Sequence, residues 1–162
     1  MSVETIELYP KIGSRVILCA TSPWKWQQQG VGKIVNLVHG REWCQVIWQD
    51  GTAYNYPISN DLFSSTLIIV EPWAEPHLIE IEFLYSELNT LVRTLTSDDL
   101  KQVYYVFEGL VSSDAPRLGF LSRVLTIVSQ LPVHLMLQVA RLLNIKISSE
   151  LWEAYCDKVT KG

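Results

Sequence analysis

The chain has 162 residues, of which 48% are apolar and 19% charged, and its net charge is −4 at neutral pH. A chain of this length buries about 70% of its unfolded surface and holds a core without metal or disulfide staples, which excludes a disordered segment as its main state. The acidic balance, with basic residues scattered singly at Lys25, Lys33 and Arg41 and one pair at Lys158 and Lys161, argues against a partner held by phosphate neutralisation.

Strand signals fill the region from Gly13 to Val70. Val16-Ile17-Leu18 is a short apolar run, Ile34 to Val38 is rich in branched residues, and Cys44 to Trp48 leads into Asp50-Gly51. Asp-Gly between two alternating runs predicts a two-residue type I′ hairpin, because both central positions of that turn need positive φ. In that register Trp48 faces Ala53, Ile47 faces Tyr54 and Gln45 faces Tyr56. Cys44, Val46, Trp48 and Ala53 then share the core face. Trp43, Gln45, Ile47, Gln49, Thr52, Tyr54 and Tyr56 share the other, partly solvated one. A last strand, Thr66 to Val70, ends at Glu71-Pro72.

Residues 71–77, with prolines at 72 and 76, read as a linker, since each proline lacks a ladder donor and biases its predecessor away from the helix. Beyond it, Leu78, Ile81, Leu84, Tyr85, Leu88, Leu91, Val92 and Leu95 keep the three-and-four spacing of one helical face. A second helix starts at Thr96 or Ser97, with Asp98 and Asp99 at the positive end of its dipole and Leu100, Val103, Tyr104, Phe107 and Val111 along its stripe. The turn Ser112 to Pro116 opens a third helix through Leu118, Leu121, Leu125 and Val128. Pro132 opens a fourth through Leu135, Met136, Val139 and Leu142, and Ser148-Ser149 caps a fifth bearing Leu151, Trp152 and Tyr155. Phe83, Tyr105 and Phe120 fall off these stripes and are expected in a wide core. The fold class expected is α+β: an SH3-like β-barrel over residues 1–70, followed by an all-α helical bundle of four to five helices over residues 78–162.

The apolar stretch from Leu118 to Ile145 is divided by Arg123, Pro132, His134 and Arg141, so no membrane span is expected. Cys19, Cys44 and Cys156 have no C-x-x-C spacing and read as reduced thiols. With an N-terminus lacking a signal-peptide pattern, they point to the cytoplasm. His39, His77 and His134 stand apart without metal-ligand spacing, and no cofactor or metal is expected. No G-x-S-x-G elbow or phosphate loop occurs, since Gly30-Val31-Gly32-Lys33 lacks the third glycine and the strand-to-helix setting. Cys44 alternates with Val46 and Trp48 on the core face, the setting of an inert thiol. The chain is therefore read as non-enzymatic.

The first 70 residues resemble the Mind-bomb type of SH3-like domain. The matching features are Gly13-Ser14-Arg15-Val16, Trp24-Lys25-Trp26, Gly32-Lys33-Ile34-Val35, Val46-Ile47-Trp48-Gln49-Asp50-Gly51, Tyr56 and Asp61-Leu62. Gln27-Gln28-Gln29 stand where that family usually carries acidic and glycine residues. The resemblance implies a domain that binds a peptide or protein partner.

The residues themselves suggest where. Two tryptophans two apart after Pro23 point opposite ways in an extended segment, one to the core and one to a groove. Trp24, Trp26, Trp43, Tyr54 and Tyr56 are the candidate partner-binding residues, an aromatic platform beside an open strand edge. The function expected is a protein-interaction module or accessory subunit of a larger assembly. The alternatives are single-stranded nucleic acid binding by base stacking on the same rings, or an enzyme with an unfamiliar site.

Overall fold

The computed structural model describes residues 10–20, 22–38, 42–58, 67–106, 124–125 and 128–161. His39, Arg41, Asp61-Leu62, Phe107, Val111, the turn at 112–116, the start of the third helix at Leu118, Phe120 and the side chains of Tyr104, Tyr105 and Lys161 lie outside the described residues. The chain is α+β. Five strands, β1 (Arg15–Leu18), β2 (Gly32–Val38), β3 (Trp43–Ile47), β4 (Ala53–Pro57) and β5 (Leu67–Ile69), form one antiparallel sheet in the order β4-β3-β2-β1-β5. Helices α1 (Leu78–Val92), α2 (Ser97–Val106), α3 (Val133–Leu142) and α4 (Ser149–Lys161) follow, and residues 124–125 and 128–130 are also helical.

The unbroken apolar runs of β1 and β5 have a direct reason. Val16, Leu18, Leu67 and Ile69 point to one face of the sheet, where they meet Ile34, Cys44, Val46, Trp48 and Tyr56. Ile17 and Ile68 point to the other face and join Ile81, Leu84, Tyr85 and Leu88 of α1. A strand covered on both faces reads as continuous rather than alternating. Strands β3 and β4 are covered on one face and alternate. In β2 the register shifts between Ile34 and Asn36, a bulge at Val35 that bends the strand.

The hairpin differs from the sequence expectation by one residue. Val46 lies opposite Tyr54, Cys44 opposite Tyr56 and Ile47 opposite Ala53. The Gly51 amide donates to Trp48 O at 3.0 Å and the Trp48 amide to Thr52 O at 2.8 Å, so the loop is three residues, 49 to 51. Gly51 alone takes positive φ there, at 87°. This is a type I turn closed by a left-handed glycine, not a type I′ turn. Asp50 explains the choice: its Oδ1 accepts from the Thr52 amide at 3.1 Å and the Thr52 hydroxyl at 2.6 Å, a local turn needing no positive φ from the aspartate. A one-residue change of register exchanges the faces of β4. Tyr54 and Tyr56 therefore belong with Cys44, Val46 and Trp48 on the inner face, and Ala53, expected in the core, is exposed.

The stretch from Glu71 to His77 carries a 3-10 turn, Glu75–His77, and Ala74 within it is fully buried. Arg15 clamps Glu75 through two guanidinium hydrogen bonds, and Lys25 Nζ meets Glu82 Oε1 of α1 at 2.7 Å. Both pairs are about a third exposed, so each contributes about 0.2–1 kcal/mol. Burial of one Ile or Leu contributes about 1.5–3 kcal/mol, and Ile17, Cys19, Val31, Ile68 and Val70 all enter the cluster shared with the helices. Apolar contact, not charge, joins sheet to helices.

Three helix ends are satisfied locally. Thr96 Oγ1 accepts from the Asp99 amide at 3.2 Å and starts α2. Ser148 Oγ accepts from the Leu151 amide at 3.2 Å and starts α4, while Glu80 of α1 accepts from the Ser148 amide at 2.7 Å and from its hydroxyl. Helix α3 ends with Asn144 at φ 62°, the Ile145 amide reaching Ala140 O and the Asn144 amide reaching Arg141 O. That is a Schellman ending with asparagine in the glycine position. Phe83 does not enter the core as expected: it is 58% exposed, one turn from Ile79 at 89%, because the buried stripe of α1 runs through Ile81, Leu84, Tyr85 and Leu88. No helix among the described residues is long and apolar enough to cross a membrane.

Candidate functional site

The segment between β1 and β2 builds a braced turn. Ser22 Oγ accepts from the Trp24 amide, the Lys25 amide donates to Ser22 O at 3.2 Å, and the Gln27 amide donates to Trp24 O at 2.8 Å, which winds Lys25–Gln27 into a 3-10 turn. Side chains around such a turn are spaced about a third of a circle apart. Trp24 accordingly packs inward, its ring 6.0 Å from that of Tyr56, and Trp26 points outward at 72% exposure.

The three glutamines that follow, too short a run to stand out in the sequence, anchor the turn to β1, β4, α1 and the hairpin loop. Gln27 Oε1 accepts from the Tyr56 hydroxyl of β4 at 2.7 Å. Gln28 Oε1 accepts from the Leu18 amide of β1 at 2.8 Å and from Lys25 Nζ at 2.9 Å, while its Nε2 donates to Glu82 of α1 at 2.8 Å. Gln29 O accepts from the Gln49 amide of the hairpin loop at 3.0 Å. Gly30, at φ 71°, lies so close to the Gln49 side chain that a Cβ there would sit 2.0 Å from its Oε1.

Of the five candidate residues, four meet around this turn and one does not. The ring of Trp26 stands edge-on to that of the half-buried Tyr54, centroids 6.4 Å apart. Tyr56 is close by but fully buried, its ring between Trp24 and Trp48 and its hydroxyl taking a hydrogen bond from Trp48 Nε1 at 3.1 Å. Its ring thus supports the surface from beneath rather than forming it. Trp43 lies on the opposite face of the hairpin with Gln45 and Ile47, opposite Pro57, and cannot share a surface with Tyr54. The accessible aromatic surface is Trp26 with the exposed parts of Tyr54 and Trp24.

Burial raises the Cys44 thiol to about 11, which makes it a poor nucleophile. Desolvation also raises the Tyr56 and Tyr85 phenols and lowers the His134 imidazole. No group of three or more His, Cys, Asp and Glu side chains suited to a metal occurs among the described residues. Two hollows lie away from Trp26. One of about 440 Å³ is bounded by Arg141, Lys146 and Trp152, with the Arg141 guanidinium 4.3 Å above the Trp152 ring, and one of about 200 Å³ lies between β1 and α1 beside Tyr85. No family model matches the chain, and comparison with curated proteins and with solved structures finds no match.

Proposed function

We propose that the chain is a non-enzymatic protein-interaction module, an accessory subunit that holds a peptide segment of a partner on the surface made by Trp26, Tyr54 and Trp24. The observation that carries this reading is Trp26 itself. A tryptophan ring left 72% in water on a turn anchored to β1, β4, α1 and the hairpin loop is a rigid apolar anchor, the residue type that dominates binding at interfaces. Its rigidity lowers the ordering cost of association.

An SH3-like barrel for residues 1–70 fits the strand order β4-β3-β2-β1-β5 and the bend at Val35, and it agrees with the resemblance to the Mind-bomb type of domain. A cytoplasmic setting suits the thiols of Cys19, Cys44 and Cys156.

The test is a selection of displayed random short peptides on the full chain. Recovered peptides should lose about tenfold or more in affinity for Trp26→Ala and Tyr54→Phe should retain most of it, since the ring and not the hydroxyl makes the contact. Phe83→Ala, on the exposed face of α1, should leave affinity unchanged. Peptides that bind Trp26→Ala as well as the parent chain would refute the reading. So would a preference for oligonucleotides whose affinity falls steeply with salt.

A further inference from the structure

Among the described residues β4 is one of the two outer strands of the sheet, and its backbone has a definite polarity. The Trp48 amide donates to Thr52 O and the Ile58 amide to Glu42 O, and both pairs fit the register that sets Val46 opposite Tyr54 and Cys44 opposite Tyr56. In an antiparallel ladder, hydrogen-bonded and non-hydrogen-bonded pairs alternate. Tyr54 and Tyr56, with the Thr52 carbonyl and the Ile58 amide, therefore face the β3 side. Ala53, Asn55 and Pro57 turn theirs outward.

Ala53 and Asn55 are exposed, so this edge offers two amides and three carbonyls in alternation, and Pro57, which has no amide, ends the row of donors. The strand also carries no lysine to blunt it.

We infer that a partner segment binds as an added antiparallel strand along β4, hydrogen-bonded to Ala53 and Asn55, with the side chain opposite Tyr54 packed on Trp26. This rests on the reading of the aromatic surface given above and adds the mode of recognition. The ligand chemistry follows from the ladder. Ligand residues opposite Ala53 and Asn55 present their amides to β4 and cannot be proline or N-methylated. The ligand residue between them, opposite Tyr54, turns its amide away and puts its side chain on the face where Tyr54 and Trp26 stand 6.4 Å apart. A flat apolar side chain, proline included, is accepted there. The class of ligand is thus an extended segment with one apolar or proline residue flanked on both sides by residues with intact amides.

The probe is the tightest peptide from the displayed library, resynthesised with a single N-methyl group at each position in turn. The expected result is a loss of about tenfold at two positions two apart, the size of one backbone hydrogen bond, with the position between them indifferent to N-methylation. On the protein side, Asn55→Pro removes an outward amide without touching the β3 ladder, so it keeps the fold by urea titration and loses about tenfold in affinity. Asn55→Ala keeps both. If Trp26→Ala abolishes binding while neither the N-methyl series nor Asn55→Pro has an effect, strand addition is overturned and the aromatic surface stands. If the peptides ignore Trp26→Ala, the surface itself falls and this inference with it. Should Asn55→Pro fail to fold, the N-methyl series decides alone. Sedimentation showing that the chain pairs with itself, and that Asn55→Pro makes it monomeric, would assign the edge to a second copy and overturn a foreign ligand.

Discussion

The buried hydroxyl of Tyr56 donates to Gln27 Oε1 at 2.7 Å, tying the hairpin to the turn that carries Trp26 across 29 residues of sequence. The same oxygen accepts from Trp48 Nε1 at 3.1 Å, so one phenol satisfies two side chains. Tyr56→Phe leaves both without that partner, and an unsatisfied buried polar group costs about 1–3 kcal/mol. Urea unfolding should show a loss of that size. Tyr54→Phe, whose ring is half-buried, should change stability by less than about 0.5 kcal/mol.

Gly51 of the hairpin loop and Gly32 of β2 should respond to alanine for different reasons. At Gly51 a Cβ would meet nothing within 4 Å, so Gly51→Ala costs only the left-handed backbone, about 1 kcal/mol. At Gly32, where φ is ordinary, a Cβ would lie 2.4 Å from Val46 Cγ1 and 2.7 Å from the Trp48 ring. Both neighbours are fixed in the core, so Gly32→Ala should cost about 1–3 kcal/mol by overpacking and disturb the Trp48 environment in near-UV circular dichroism.

The joint between sheet and helices is predicted to be apolar in origin. Ile17→Ala, which opens a cavity in the cluster shared with α1, should destabilise by about 2–5 kcal/mol. Arg15→Ala, which removes the pair with Glu75, should cost about 1 kcal/mol or less. Thermal unfolding of the two variants in low and high salt separates the effects, because only the Arg15 contribution is screened.

Stability should fall at alkaline pH. Burial holds the Cys44 thiol at about 11 in the folded chain against an ordinary 9.0, so from about pH 9 the unfolded chain gives up its proton first. Every pH unit above that removes up to about 1.4 kcal/mol until the folded thiol ionises near 11. Tyr56 and Tyr85, both raised by desolvation, act in the same direction above pH 10. Cys44→Ala should flatten the curve between pH 9 and 11, as followed by urea midpoints, though it starts from a lower plateau. A variant whose curve keeps the parent slope would show that Cys44 ionises alike in both states.

The order of elements was legible because it depends on local patterns. Thr96 and Ser148 announce helix starts, Pro132 precedes α3, and the stripe from Leu78 to Val92 marks α1. What the sequence did not disclose was the faces of β4. They turn on whether Asp50-Gly51 closes a two-residue or a three-residue loop, and Asp50 fits either. The Asp50–Thr52 hydrogen bonds that decide it depend on geometry rather than composition. The error carried through to the candidate site, placing Trp43 beside Tyr54 and leaving Tyr56 exposed. The braces at Gln27, Gln28 and Gln29 were missed for a similar reason: their partners lie on β4, β1, α1 and the hairpin loop, and neither an amide side chain nor a loop carbonyl carries a periodic signal. Phe83 and Ile79 show the limit of stripe reasoning, since an aromatic off the stripe can stand in water.

The double covering of β1 and β5 bears on any attempt to cut the molecule in two. Ending an expression fragment near residue 70 would strip α1 from Ile17 and Ile68 and present greasy strands to solvent. Such a piece would clump before its ligand could be sought, so the smallest workable fragment runs at least through Val92.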